Sequence, residues 1–153
     1  MAVELRKIND DNFNECIGLK VSEEQKNYVA SNVFSLAQAW VYYETAYPFA
    51  IYAGDVMVGF VMMGFYKPKN VYTLWRFMID ERHQGKGYGK AALKLAMKYL
   101  VETYSPGEAY LSFVPGNDIA EGLYAGIGFY KTGEIDGDEI VMRIDLTAFD
   151  PDV

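Results

Sequence analysis

Arg82-His83-Gln84-Gly85-Lys86-Gly87-Tyr88-Gly89-Lys90 sets glycine at every other position between an apolar run and an amphipathic one. Upstream, Leu74-Trp75-Arg76-Phe77-Met78-Ile79 is rich in residues that suit a pleated, packed surface, and it predicts a buried strand. Downstream, Gly89, Leu93, Ala96, Met97, Leu100 and Tyr104 recur at helical spacing on one face. A strand, a glycine turn and a helix N-terminus together make an anion site. The first N–H groups of the helix lack intrahelical partners, and the dipole adds partial positive charge. Glycine at 85, 87 and 89 permits positive φ and leaves no Cβ to block a phosphate from the main chain. A pyrophosphate is the first ligand to expect.

Two familiar phosphate motifs do not fit. A P-loop needs a Ser or Thr after its lysine to hold magnesium, and Lys90 is followed by Ala91, so nucleotide hydrolysis is disfavoured. A dinucleotide fingerprint needs Gly-x-Gly-x-x-Gly, whereas the spacing here is Gly-x-Gly-x-Gly. The stretch resembles instead the Gln/Arg-x-x-Gly-x-Gly/Ala signature of the GNAT acetyltransferase superfamily, met by Gln84-Gly85-Lys86-Gly87-Tyr88-Gly89. Arg82-x-x-Gly85-x-Gly87 fits the same pattern one step earlier. A second stretch, Asn117-x-x-Ala120-x-x-Leu123-Tyr124-x-x-x-Gly128-Phe129, is similar to another motif of that superfamily, with Gly126 where a Lys or Arg is usual.

The resemblance implies a set of roles. Main-chain N–H groups of residues 84–90 would hold the pyrophosphate of acetyl-coenzyme A, with Lys86 and Lys90 beside the phosphates. Asn117 would contact the pantetheine arm, and Tyr124 would lie beside the sulfur as general acid. Phe77-Met78-Ile79 matches the splayed strand whose main chain pairs with pantetheine, placing the donor to the thioester oxygen on Met78 or a neighbour. A phenol with an ordinary pKa near ~10 is protonated at neutral pH and can supply the departing sulfur.

Composition narrows the partners. With 153 residues, 51% of them hydrophobic, the chain reads as one domain with a proper core. No apolar run reaches bilayer length and the N-terminus lacks a signal pattern, so a cytoplasmic protein without a membrane partner is expected. A net charge of −7 argues against nucleic acid and for a cationic partner. Lone Cys16 and lone His83 supply no disulfide and no metal cluster, and no metal is expected. Lys94 and Lys98 continue the stripe of Lys86 and Lys90 as a solvated face.

In chain order, Val3 to Ile8 predicts a strand and Asn9 or Asp10 caps a helix to about Lys20. Ser22-Glu23-Glu24-Gln25 and Ser35-Leu36-Ala37-Gln38 are capping-box patterns, the second opening a helix that Pro48 ends. Phe49–Ala53 and Val56–Tyr66 predict strands around a type II′ turn at Gly54-Asp55, and Val71–Ile79 follows a turn at 67–70. After the central helix, Glu108–Val114 predicts a strand in parallel crossover, then a short helix from about Asp118 to Ala125, then a hairpin of Phe129–Ile135 and Glu139–Leu146. The order β-α-α-β-β-β-α-β-α-β-β describes an α/β (α+β) fold, a mixed, mostly antiparallel twisted sheet of about seven strands with about four helices. It matches the GNAT fold over nearly the whole chain. The terminal hairpin offers an edge for a homodimer.

An alkyl amine of pKa ~10.4 is almost wholly protonated at neutral pH, so an acceptor site must relay a proton. Glu44 can hold the cation while water carries the proton away, and Tyr43 and Trp75, among Tyr42, Tyr47, Tyr66 and Tyr72, offer aromatic faces to an ammonium. Asp80 and Glu81 read as loop residues. Ser35-Leu36-Ala37-Gln38-Ala39, Pro48-Phe49-Ala50-Ile51-Tyr52 and Trp75-Arg76-Phe77-Met78-Ile79-Asp80 are similar to bacterial spermine/spermidine (diamine) N-acetyltransferases. That resemblance implies acetyl transfer to a polyamine by direct attack in a ternary complex. Another amine (an aminoglycoside, an amino acid or a protein N-terminus) and a non-catalytic acyl-coenzyme A-binding module stay open as alternatives.

Overall fold

The computed structural model describes residues 2–152. Its elements follow the expected order: β1 (Val3–Arg6), α1 (Phe13–Gly18), α2 (Asn32–Val41), β2 (Ala46–Ala53), β3 (Val56–Tyr66), β4 (Val71–Ile79), α3 (Tyr88–Tyr104), β5 (Glu108–Phe113), α4 (Asp118–Ile127), β6 (Tyr130–Asp136) and β7 (Glu139–Asp145). One seven-stranded sheet runs β1-β2-β3-β4-β5-β7-β6. Each neighbouring pair is antiparallel except β4 and β5, which are parallel. No helix among the described residues is long and apolar enough to cross a membrane.

The sheet separates two apolar clusters, and strand alternation assigns residues to them. Phe49 and Ile51 of β2 join Leu93, Ala96, Met97 and Leu100 of α3 on one face. Ala50 and Tyr52 join Cys16 and Ala39 of α1 and α2 on the other. Burial on both faces is why β2 and β3 read as continuous apolar runs rather than as alternating ones. Gly54, at φ 61 with Asp55 on the negative side, makes the turn between them a II′ type.

The N-terminal third departs from its local signals. α1 is one short stretch, Phe13–Gly18, and the Ser22–Gln25 pattern opens no helix: residues 23–28 form turns, with Gln25 N–H on the Ser22 carbonyl at 2.9 Å. α2 starts earlier than its second capping pattern suggests. Ser31 is the cap, its hydroxyl accepting from Phe34 N–H at 3.2 Å, while Ser35 lies buried inside the helix. Pro48 does not end this helix; it stands within β2, opposite Met62. β1 pairs with β2 only between Ala50 and Ala53, so Pro48 faces an open edge where its missing N–H costs nothing.

Gly59 is required by contact. A Cβ there would come within 2.4 Å of the Met78 carbonyl on β4. Gly59→Ala is expected to lower stability by about 1–3 kcal/mol, read as a fall in the urea midpoint; an unchanged midpoint would show that β3 and β4 can separate freely here.

Candidate active site

β4 and β5 meet through a single pair, Thr73 with Tyr110. Beyond it the two strands part, leaving one edge of β4 without a sheet partner. Which main-chain groups face that gap follows from the other edge. Asp80 N–H donates to the Val58 carbonyl at 2.8 Å, and the β3–β4 register sets Phe60 opposite Met78 and Met62 opposite Arg76. Alternate residues of an antiparallel ladder exchange their hydrogen bonds, so Arg76 and Met78 turn their amides to β3 while Phe77 and Ile79 turn theirs into the gap. The Ile79 carbonyl is already taken by Gln84 Nε2 at 2.9 Å. Phe77 N–H and C=O and Ile79 N–H are left for a ligand.

A cleft of about 320 Å³ opens on this edge. It brings together Phe77, Met78, Ile79, Gln84, Gly85, Gly87, Tyr88, Gly89 and Asn117, nine of the residues expected to hold the cofactor. Lys86 and Lys90 are exposed and do not form its wall. The three glycines have different reasons. Gly85 and Gly87 hold φ of 76° and 84°, and a Cβ placed on either would meet nothing within 4 Å, so their surface is open. Gly89 is buried against Leu123 and Phe77, 3.3 and 3.4 Å from where a Cβ would sit, and lets α3 lie close to β4. Gly87 caps α3 without a side-chain acceptor, and Ala91 N–H is the first to bond back, to the Gly87 carbonyl at 3.3 Å. The N–H groups of Tyr88, Gly89 and Lys90 therefore face outward with the dipole of a 17-residue helix behind them.

Asn117, 9% exposed, precedes α4 without capping it; among the described residues its side-chain amide makes no hydrogen bond. A nearly buried amide without partners suits a ligand that brings its own. Tyr124 lies one layer deeper, 8% exposed and outside the cleft lining. Its ring is enclosed by Phe77, Phe113 and Phe129 at centroid distances of 6.4, 6.4 and 6.2 Å. Burial pushes the phenol well above its ordinary pKa, so it keeps its proton throughout the physiological range.

Two features lacked a clear local signal. The first is the segment between α1 and α2, which crosses the cleft as a strap: Val21, Gln25 and Val29 line it, Gln25 accepts from Gln84 at 2.8 Å, and Tyr28 packs over Gly116. The second is Asp80. Expected to be a plain loop residue, it is 1% exposed and ties the glycine turn to the strap, accepting from Arg82 Nε at 2.8 Å, Arg82 N–H at 3.0 Å and Lys20 N–H at 3.1 Å. The acceptor candidates do not gather at the cleft. Tyr43 is 67% exposed and touches Trp40, Glu44 is exposed in the turn after α2, and Trp75 meets Tyr42 edge-on. Tyr47 and Tyr72 instead stack on Tyr104 on the other face.

One parallel pair thus opens a wedge with a helix N-terminus at one end and an enclosed phenol near the other. The sequence pattern described as the acetyltransferase (GNAT) family matches residues 4–129. The chain belongs to the GNAT acetyltransferase family. It is an acyltransferase, and curated GNAT relatives agree over its length. The spermine/spermidine N(1)-acetyltransferase of Bacillus subtilis (strain 168) is 34% identical over 153 residues, covering 94% of this chain and 99% of the relative. The probable spermine N(1)-acetyltransferase of Bacillus subtilis subsp. natto (strain BEST195) is 33% identical over the same span. Among solved structures, the spermidine N-acetyltransferase of Vibrio cholerae in complex with CoA and spermine superposes with a TM-score of 0.75 at 19% identity, covering 96% of this chain and 97% of that one. The PaiA N-acetyltransferase of Thermoplasma acidophilum in complex with coenzyme A gives 0.71 at 18% identity, covering 95% and 99%. At these identities the structural likeness speaks to the fold.

Asp80 makes the loop sensitive to acid. Burial alone would raise its carboxyl, but the hydrogen bonds from Arg82 and Lys20 outweigh it and hold the group below the ordinary carboxylate range. Its contribution is therefore complete above about pH 4 and is lost as pH falls through the depressed folded value. Asp80→Asn is expected to lower stability by about 1–3 kcal/mol at neutral pH, with the gap from the parent closing on acidification. A gap of constant size between neutral pH and about pH 3 would contradict this role.

Proposed function

We propose that the chain is an acetyl-coenzyme A-dependent N-acetyltransferase that moves an acetyl group to a polyamine by direct attack in a ternary complex. The observation that carries this reading is the unpaired edge of β4, running from outward-facing amides at the start of α3 towards the enclosed Tyr124. The residues present fit the donor: open glycines and three free N–H groups for a pyrophosphate, Asn117 and the Ile79 amide for an amide-bearing arm, and Phe77 N–H for a thioester oxygen. When bound, acetyl-coenzyme A supplies the activated acetyl group.

Phe77 N–H stabilises the charge that builds on the carbonyl oxygen as the acceptor nitrogen attacks the carbonyl carbon. Tyr124 gives its proton to the sulfur as the carbon–sulfur bond breaks, and regains one from solvent. A raised proton affinity suits this role, because the phenol stays loaded with its proton throughout the physiological range. The acceptor ammonium loses one proton before it attacks and a second as the amide forms, each to water or to a carboxylate. A net charge of −7 favours a polycation, and the curated relatives named above act, by their names, on spermine and spermidine.

Two measurements check this reading. Tyr124→Phe is expected to lower kcat by about 100-fold or more while changing coenzyme A affinity less than about twofold; unchanged turnover would remove the phenol from the mechanism. In a thiol-release assay with spermine, spermidine, putrescine, an aminoglycoside and a peptide, polyamines are expected to give the highest kcat/KM. Equal or better rates with a peptide or aminoglycoside would transfer the acceptor assignment to that class, and coenzyme binding without turnover of any amine would mark a binding module.

A further inference from the structure

Arg76 stands on β4 immediately before the transfer strand residues, on the same face as Met78 and towards α2. Its guanidinium is fixed: Nη2 donates to Gln38 Oε1 of α2 at 2.8 Å, Nη1 donates to the Trp75 carbonyl at 3.1 Å, and the group lies 5.6 Å from the Trp75 ring. Yet it is not neutralised. No carboxylate among the described residues forms an ion pair with it, and its Nε is buried without a partner. A half-buried cation left in this condition is costly to the fold and calls for a reason beyond packing.

The surroundings set that charge on the α2 face of β4, one residue before Phe77 and outside the lining of the cofactor cleft. α2 presents neutral Gln38, β3 presents Met62, and among the described residues the carboxylate whose field favours the charged form of Arg76 is Glu139, at the start of β7. Glu139 belongs to the opposite wall, where it accepts from Ser112 Oγ of β5 at 3.2 Å. An amine approaching the gap from the α2 side therefore meets a fixed positive charge beside Phe77 and a carboxylate across from it.

We propose that Arg76 is an acceptor-site residue that keeps the attacking nitrogen neutral: its uncompensated charge repels an ammonium from the position next to Phe77 and admits the free amine. This rests on the reading above that the acceptor is an amine. Guanidinium and ammonium side by side suffer like-charge repulsion; a neutral amine carries no charge to be repelled and keeps its lone pair for the carbonyl carbon. The proton leaves for solvent or for Glu139 before the carbon–nitrogen bond forms, so Arg76 itself neither gains nor loses one. A cationic substrate is thus drawn in by the protein's overall charge and deprotonated locally by a single positive group.

The test is the pH dependence of kcat for the full chain with acetyl-coenzyme A and spermidine. Arg76→Gln is expected to move the ascending limb to higher pH by about one unit, with coenzyme A affinity unchanged as the check on folding. Arg76→Lys, which keeps the charge, is expected to leave the limb in place. Gln38→Glu sets a carboxylate against the guanidinium without altering Arg76, and is expected to move the limb in the same direction as Arg76→Gln; it serves if that variant does not fold. A limb that stays put in both charge-cancelling variants, or that moves as far in Arg76→Lys, overturns the proposal. A parent chain that acetylates no amine would instead overturn the function on which it rests.

Discussion

Backbone N–H and C=O groups on a strand edge must be satisfied by something, and β4 carries such an edge in the middle of its sheet. Contact with β5 at Thr73 and Tyr110 alone leaves Phe77 and Ile79 exposed to a gap. The rest of the molecule serves to keep that gap both open and shaped. β5 is held on its far side by a full antiparallel ladder with β7, from Glu108 to Phe113, so it cannot close onto β4. α3 presses through Gly89 against Phe77 and Ile79 and fixes the strand from behind.

Electrostatics are divided along the same strand. At its C-terminal end, α3 offers amides and a dipole with no side chain to cap them, while Asp80 consumes the nearby Arg82 and holds the turn in place. At its middle, Arg76 contributes an unneutralised cation towards the α2 face. Between them the phenol of Tyr124 sits among aromatic rings, where a charged form is disfavoured. A chain with an acidic total charge therefore keeps two local positive features along one strand, the helix N-terminus at one end and Arg76 at the middle.

How far the sequence discloses this depends on the range of the interactions involved. The glycine turn, the central strand and helix, and the Asn117 and Tyr124 motif are encoded within a few residues of themselves, and the element order and candidate cleft were legible from them. Local signals misled where tertiary packing decided. Ser22 and Ser35 carry capping patterns, but the chain there is pinned by distant partners, Gln84 to Gln25 and the Cys16 carbonyl to Asn32. Pro48 looks like a helix stop and instead stands in β2 beyond the end of β1, because the extent of β1 is not visible from β2. Asp80 reads locally as a plain loop residue, because the partner that accompanies its burial, Lys20, is sixty residues away. The acceptor side was least legible, since the aromatic residues of α2 are conspicuous in the chain while nothing local marks that Arg76 makes no ion pair among the described residues.

The central claim is that alternate amides of β4 wait for a ligand. Residue-resolved amide hydrogen exchange, with and without coenzyme A, tests it most directly. The account predicts that Phe77 and Ile79 exchange readily in the free protein and become protected on binding, while Arg76 and Met78 are protected in both states. Coenzyme A that binds without changing Phe77 and Ile79, or protection already complete in the free protein, would contradict it.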